Sequence, residues 1–128
     1  MVVENRSMAS DKDHSILIVD DEESICLLYQ AELDDRGYSV RVQTDGTRAM
    51  EDIERFHPDL VILDIKMPGA DGLEILDHIK SRFPDIDVIQ NSAYGSFRNE
   101  ASARKADGYV IKSSDMTDLL KTIEKVLA

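Results

Sequence analysis

The sequence predicts an α/β domain: a parallel five-stranded sheet held between two layers of helices. Three observations predict it. First, the apolar runs Ile16-Leu17-Ile18-Val19 and Leu60-Val61-Ile62-Leu63 are short and unbroken. Such runs are too short for helices and suit strands buried on both faces. Second, each run stops on carboxylates, Asp20-Asp21 and Asp64. A lone charge is too costly to bury unpaired, so these acids mark where the chain leaves the sheet. Third, segments of helical period alternate with the apolar runs, the rhythm of a parallel sheet covered on both sides.

Residues 1–14 are polar and without period, and are expected to form a flexible tail before a domain over 15–128. The first strand, Ile16–Val19, leads through Asp20-Asp21 into a helix over Glu22–Arg36. There Ile25, Leu28, Tyr29 and Leu33 share a face, and Gly37 stops it. The lone cysteine, Cys26, is expected on or near the surface of that helix. Tyr38–Gln43 alternates, with Val40 and Val42 on one side, as an edge strand does. Thr44-Asp45-Gly46 turns into a helix carrying Ala49, Met50, Ile53 and Phe56, and Pro58 ends it. The central strand follows, then a loop punctuated by Pro68-Gly69 and Asp71-Gly72.

Gly72–Arg82 is the third helix, with Leu73, Leu76, Ile79 and Phe83 along one stripe. Ile86–Gln90 is the fourth strand and ends on Asn91-Ser92-Ala93. Tyr94–Asp107 has few large apolar residues, so any helix there is expected to be short or mobile. Gly108–Ile111 is the fifth strand and ends on Lys112. Met116–Leu127 is amphipathic and Asp115 can cap it. Right-handed crossovers then give the sheet order 2-1-3-4-5, a flavodoxin-like (βα)5 three-layer sandwich.

Composition narrows the function. A net charge of −11 disfavours direct contact with nucleic acid, because phosphate binding needs Lys and Arg. One cysteine allows no internal disulfide, which fits a reducing compartment. No apolar run approaches the roughly 20 residues that cross a bilayer, and the N-terminus lacks the apolar stretch of a signal peptide. The expectation is a cytoplasmic protein with no membrane partner.

The predicted topology gathers chemistry at one sheet edge. Strand one delivers Asp20 and Asp21, strand three Asp64, strand four Ser92 and strand five Lys112. Each has a bland reading alone: Asp-Asp before a helix as capping, lysine after a strand as a solvated end, serine as a turn residue. Together they make a site. Clustered acids raise one another's pKa, and a divalent cation relieves this. Oxygen-only ligands favour Mg²⁺, with Mn²⁺ a possible substitute. A metal-bound carboxylate beside a lysine and a hydroxyl is suited to receiving a phosphoryl group. Asp64 would attack in line, Lys112 would neutralise charge, and Ser92 with nearby backbone N–H groups, that of Ala93 included, would bond the oxygens.

At this point the sequence resembles the receiver domain of two-component response regulators, from about Ile16 to Leu127. The matching stretches are ILIVDDE, LVILDIKMPGADGLEIL, NSAYG and ADGYVIKS. The resemblance implies that Asp64 is the phosphoacceptor of a phosphorelay. Asp21 would be a direct Mg²⁺ ligand, Asp20 a helper, and the main-chain carbonyl of Lys66 a further ligand. Ser92 would be the hydroxyl that moves toward the phosphoryl group, Lys112 its charge partner, and Tyr109 the switch aromatic. The phosphoryl donor would be a sensor histidine kinase or a phosphotransfer protein docking near the first helix. The receiver of the signal would be a downstream output protein or a fused output domain. Such a chain is not a turnover enzyme; it catalyses its own phosphorylation and its own dephosphorylation.

Departures from that pattern carry expectations. The family usually has proline after the lysine, commonly with a cis bond; here Ser113 stands there. A non-proline cis bond costs roughly 3 kcal/mol, so a trans or locally strained bond is expected. The stretch from Ser92 to Lys112 is shorter than is common, and Gln90-Asn91 makes the strand end unusually polar. The two positions that admit water to the phosphoryl group hold Lys66 and Tyr94. Both are large and neither readily orients an attacking water, so self-hydrolysis should be slow. Two other functions remain open. One is an Asp-nucleophile phosphohydrolase of the haloacid dehalogenase type, for which Lys66 stands where a general-acid Asp is wanted. The other is a degenerate receiver that binds a partner without phosphorylation.

Overall fold

In the computed structural model, which describes residues 14–93 and 105–128, each apolar run is a strand buried along its length. Strand β1 (Ser15–Val19) pairs in parallel with β2 (Ser39–Gln43) on one side and β3 (Leu60–Leu63) on the other. β3 pairs with β4 (Asp87–Ser92), and β4 with β5 (Gly108–Ile111), again in parallel. The order β2-β1-β3-β4-β5 is the predicted one, with β2 and β5 at the edges.

The runs do not alternate because the sheet has a core on each face. Leu17, Val19, Val61 and Leu63 point into one core, under helices α2 (Ala49–Phe56) and α3 (Gly72–Arg82). Ile16, Ile18, Leu60 and Ile62 point into the other, under α1 (Glu23–Asp35) and α4 (Thr117–Leu127). The described residues include no helix long and apolar enough to cross a membrane.

Helix α1 corrects two expectations. Its buried residues are Cys26, Tyr29 and Leu33, whereas Leu27 is 68% and Leu28 40% exposed. The helix is rotated so that Cys26, not Leu28, meets the sheet. Its thiol donates to the Asp20 carbonyl at 3.2 Å, which gives the buried side chain a polar partner. Helix α2 begins with a turn of 3₁₀ helix, Gly46–Arg48, whose cap Asp45 accepts from the Thr47 N–H. It ends at His57, in left-handed conformation at φ 44°, one residue before Pro58.

The loop after β3 is more ordered than its turn residues suggested. Lys66–Met67 and Ala70–Asp71 form a two-stranded antiparallel ladder around Pro68-Gly69, with Gly69 at φ 72°. Asp71 then caps α3 by accepting from the Leu73 N–H at 3.0 Å. Gly72 opens α3 against the exit of β3. A Cβ there would lie 2.5 Å from the Ile65 Cα and 2.6 Å from the Asp64 carbonyl oxygen. Ile75 joins Leu76 and Ile79 inside, while Leu73 and Phe83 are half-buried.

Strand β4 runs on to Ser92, past the expected end at Gln90. Of the Tyr94–Asp107 stretch, residues 94–104 lie outside the described residues, as do residues 1–13 of the expected tail. Among the described residues no peptide bond is cis, so Lys112–Ser113 is trans. The cap position of α4 is Met116, which makes no side-chain capping bond; Asp115, the expected cap, stands one residue earlier and accepts from the Thr117 N–H at 2.9 Å.

Candidate functional site

The register of the sheet builds the site. Val19 stands opposite Leu63, so Asp20 and Asp64 leave neighbouring strands at the same level. The Asp64 N–H donates to the Val19 carbonyl at 2.9 Å and locks the two exits together. The Lys112 N–H donates to the Ser92 carbonyl at 2.8 Å and does the same for β4 and β5. Carboxylate oxygens of Asp20, Asp21 and Asp64 all come within 4.8 Å of one another. Asp20 and Asp64 are buried and Asp21 is exposed.

Lys112 answers this concentration of negative charge. Its Nζ lies 2.9 Å from Asp20, 3.4 Å from Asp64 and 2.7 Å from Glu22. Burial alone would pull the ammonium's pKa down. The hydrogen bonds from Glu22 and Asp20, with the charges of Asp20 and Asp64, outweigh it and hold the group above its usual range. The acids shift the other way. Burial, then the charge of Asp20, pushes Asp64 up to about 6; Lys112 and the Lys66 backbone N–H, which bonds its carboxylate, offset this only in part. Burial also raises Asp20 against the Glu22 N–H and Lys112, both of which lower it. Two buried carboxylates that resist ionisation around one ammonium leave room for more positive charge.

Asp21, Glu22, Asp64, Lys66, Ser92, Ala93 and Lys112 line a single cleft of about 240 Å³. The sequence had assigned all of these but Glu22 to the site. Ser92 is the buried last residue of β4 and Ala93 the exposed residue after it. Tyr109 sits apart. It is half-buried in β5 and lines a different depression, with Asp87, Asp107, Gly108, Thr122, Lys125 and Val126. Tyr94 lies outside the described residues.

Two features were missed in the sequence. Glu22 stands in the sequence as the first residue of a helix, although it is also the third acid of the Asp-Asp-Glu run. Beneath the acids, Asn91 Nδ2 donates to the Tyr29 hydroxyl at 2.8 Å in the buried interior. This gives the polar end of β4 a physical account: Asn91 reaches across to a helix aromatic. Gln90 is fully buried too, and neither amide atom has a hydrogen-bond partner among the described residues.

The donor set fits a hard divalent cation. It is all oxygen, it is partly open at Asp21, and its buried members are held against their preference for protons.

The model of the response regulator receiver domain matches residues 16–124. The transcriptional regulatory protein ZraR of Escherichia coli (strain K12) is 38% identical over 115 residues, 88% of this chain and 26% of that protein. The chain thus spans about a quarter of the length of the first curated relatives, 26% in the case of ZraR. The sporulation initiation phosphotransferase F of Bacillus subtilis (strain 168) is 33% identical over 117 residues, 90% of this chain and 94% of that one. Among solved structures, the response regulator TrrA of Thermotoga maritima in complex with Mg²⁺-BeF matches with TM-score 0.85 at 37% identity, covering 88% of this chain and 98% of that one. TrrA in complex with the histidine kinase ThkA matches with TM-score 0.83 at 37% identity, covering 90% and 99%. The sheet order, the acid cluster at its edge and the extent of these matches agree: the chain belongs to the receiver domains of two-component response regulators.

Proposed function

We propose that Asp64 is the phosphoacceptor and that the domain is a switch set by its phosphorylation. The observation that carries this reading is the single cleft that joins Asp64 to Asp21, Ser92 and Lys112. Ionised, Asp64 is a carboxylate able to attack phosphorus. The new bond is from Asp64 Oδ to phosphorus. The bond that breaks joins phosphorus to the donor's imidazole nitrogen, or to the acyl oxygen of a small phosphodonor, and its electron pair leaves with the donor. Lys112 is placed to neutralise charge on the transferred group, and the Ser92 hydroxyl and Ala93 N–H to bond its oxygens. Asp20, Asp21, Asp64 and the Lys66 carbonyl would hold Mg²⁺, or Mn²⁺ in its place, which when bound neutralises charge on the transferring oxygens. Tyr109 is assigned the switch role by the family pattern.

The same reading supplies partners. Leu27 and Leu28 lie exposed on α1, the helix that starts beside the acids, and offer an apolar surface to a sensor histidine kinase or phosphotransfer protein. TrrA, a neighbour in fold, is known in complex with a histidine kinase. The signal would pass to an output protein or a fused output domain in the cytoplasm. With a net charge of −11 the domain itself would not touch nucleic acid. Beyond its own phosphorylation it would catalyse only slow self-dephosphorylation, because exposed Lys66 stands two residues after Asp64 with no carboxylate or amide to orient water.

The test is intact mass after incubation with acetyl phosphate and Mg²⁺, for wild type and Asp64→Ala. The expected result is a gain of one phosphoryl group in wild type, absent in the variant and without Mg²⁺. No gain in wild type, with a histidine-kinase donor failing as well, would refute the reading.

A further inference from the structure

Lys112 has three N–H donors and, among the described residues, three carboxylate neighbours, of which the nearest is Glu22 at 2.7 Å. Asp20 follows at 2.9 Å, while Asp64, the group that would carry the phosphoryl, is farthest at 3.4 Å. The three acids differ in what release would cost. Asp20 is buried, so water cannot take the place of the ammonium there. The Glu22 side chain is 54% exposed, against 10% for Lys112, so water can replace the ammonium there cheaply. Glu22 is also free of the task its position suggests. It occupies the N-cap of α1 with no side-chain capping bond, and its own N–H is taken by Asp20 Oδ1 at 2.9 Å. Its carboxylate is committed to Lys112 instead.

We propose that Glu22 is a positioning residue that holds Lys112 back from Asp64 until phosphoryl charge draws it away. The inference rests on the reading of Asp64 as phosphoacceptor. A phosphoryl group on Asp64 brings oxygens that need a donor within the cleft. Of the ammonium's three ion pairs among the described residues, the one to exposed Glu22 is the arm that can let go. Glu22 therefore sets how much phosphoryl charge is needed before Lys112 moves. It weakens the hold on a phosphoryl group without touching it.

The experiment compares wild type, Glu22→Gln and Glu23→Gln. Glu23 is the adjacent exposed acid in the first turn of α1, so its variant removes the same charge from nearly the same place. The probe is beryllofluoride at saturating Mg²⁺, with affinity read by titration. The ¹³Cε signal of Lys112, assigned by its loss in Lys112→Arg, reports the ammonium's surroundings. Glu22→Gln should bind beryllofluoride roughly two- to fivefold more tightly, the worth of one partly exposed ion pair. Its free-state Lys112 signal should shift toward the position seen in the wild-type complex, and Glu23→Gln should do neither. Equal gains in the two variants would show a general charge effect and overturn the proposal, as would an unmoved Lys112 signal in Glu22→Gln. Wild type that binds beryllofluoride while Glu22→Gln matches it overturns this inference alone. Wild type that binds none overturns it together with the phosphoacceptor reading.

Discussion

Replacing Asp64 with Asn should make the metal-free protein more stable, although it removes the proposed acceptor. The magnitude follows from the carboxyl's pKa, raised from 3.8 to about 6 by burial and by Asp20. A group that holds its proton more tightly when folded favours folding at low pH, and that advantage is lost as pH rises through the folded pKa. Relative to a neutral side chain, the wild-type carboxylate is therefore a penalty that is absent below about pH 4 and complete above about pH 7. A shift of about two units corresponds to about 3 kcal/mol at full ionisation. At pH 5 roughly half of that remains, since the unfolded carboxyl is already ionised and the folded one is not. The assay is urea unfolding of wild type and Asp64→Asn in EDTA at pH 4, 5 and 8. The variant should gain about 3 kcal/mol at pH 8, about 10 °C in Tm for a domain of this size, and almost nothing at pH 4. Mg²⁺ should then stabilise wild type and narrow the gap. A variant less stable than wild type at pH 8, or a gain that does not depend on pH, would refute the account of Asp64 as a strained buried charge.

Two further outcomes are expected. Tyr29→Phe should cost about 1–3 kcal/mol, because it leaves the Asn91 amide buried without its partner; the double variant Tyr29→Phe, Asn91→Leu should recover much of the loss, as a double-mutant cycle of urea unfolding would show. Gly72→Ala should cost about 3 kcal/mol by overpacking against backbone atoms that cannot yield, and should slow phosphorylation by acetyl phosphate as the exit of β3 is displaced.

The sheet was legible because its strands write themselves as unbroken apolar runs closed by acids. Asp20, Asp21, Asp64 and Lys112 were found for the same reason: each stands at the residue where a run stops. What failed was decided by packing between elements. Leu28 fits a helical stripe as well as Cys26 does, and only the seating of the helix on the sheet, where Cys26 meets the Asp20 carbonyl, chooses between them. Asn91 looked misplaced because its partner, Tyr29, lies 62 residues away in sequence. Glu22 stands at the start of a helix, and nothing local shows that Lys112 claims it. The ladder of Lys66–Met67 with Ala70–Asp71 was hidden because its strands are too short to show a period. Ser92 was placed at the edge correctly, but the strand's extension to it depends on pairing with Ile111.

The parallel pairing that levels the strand ends also bears on how the chain is made. Parallel neighbours cannot be joined by a hairpin, so residues that meet at the acid edge come from distant parts of the chain; Glu22 and Lys112 are 90 residues apart. Synthesis delivers Asp20 and Asp64 well before Lys112, and a sheet of non-local pairs closes late in folding. The acids thus precede their ammonium in the order of synthesis. The cleft is therefore complete only once Lys112, at the end of the fifth strand, has joined the sheet.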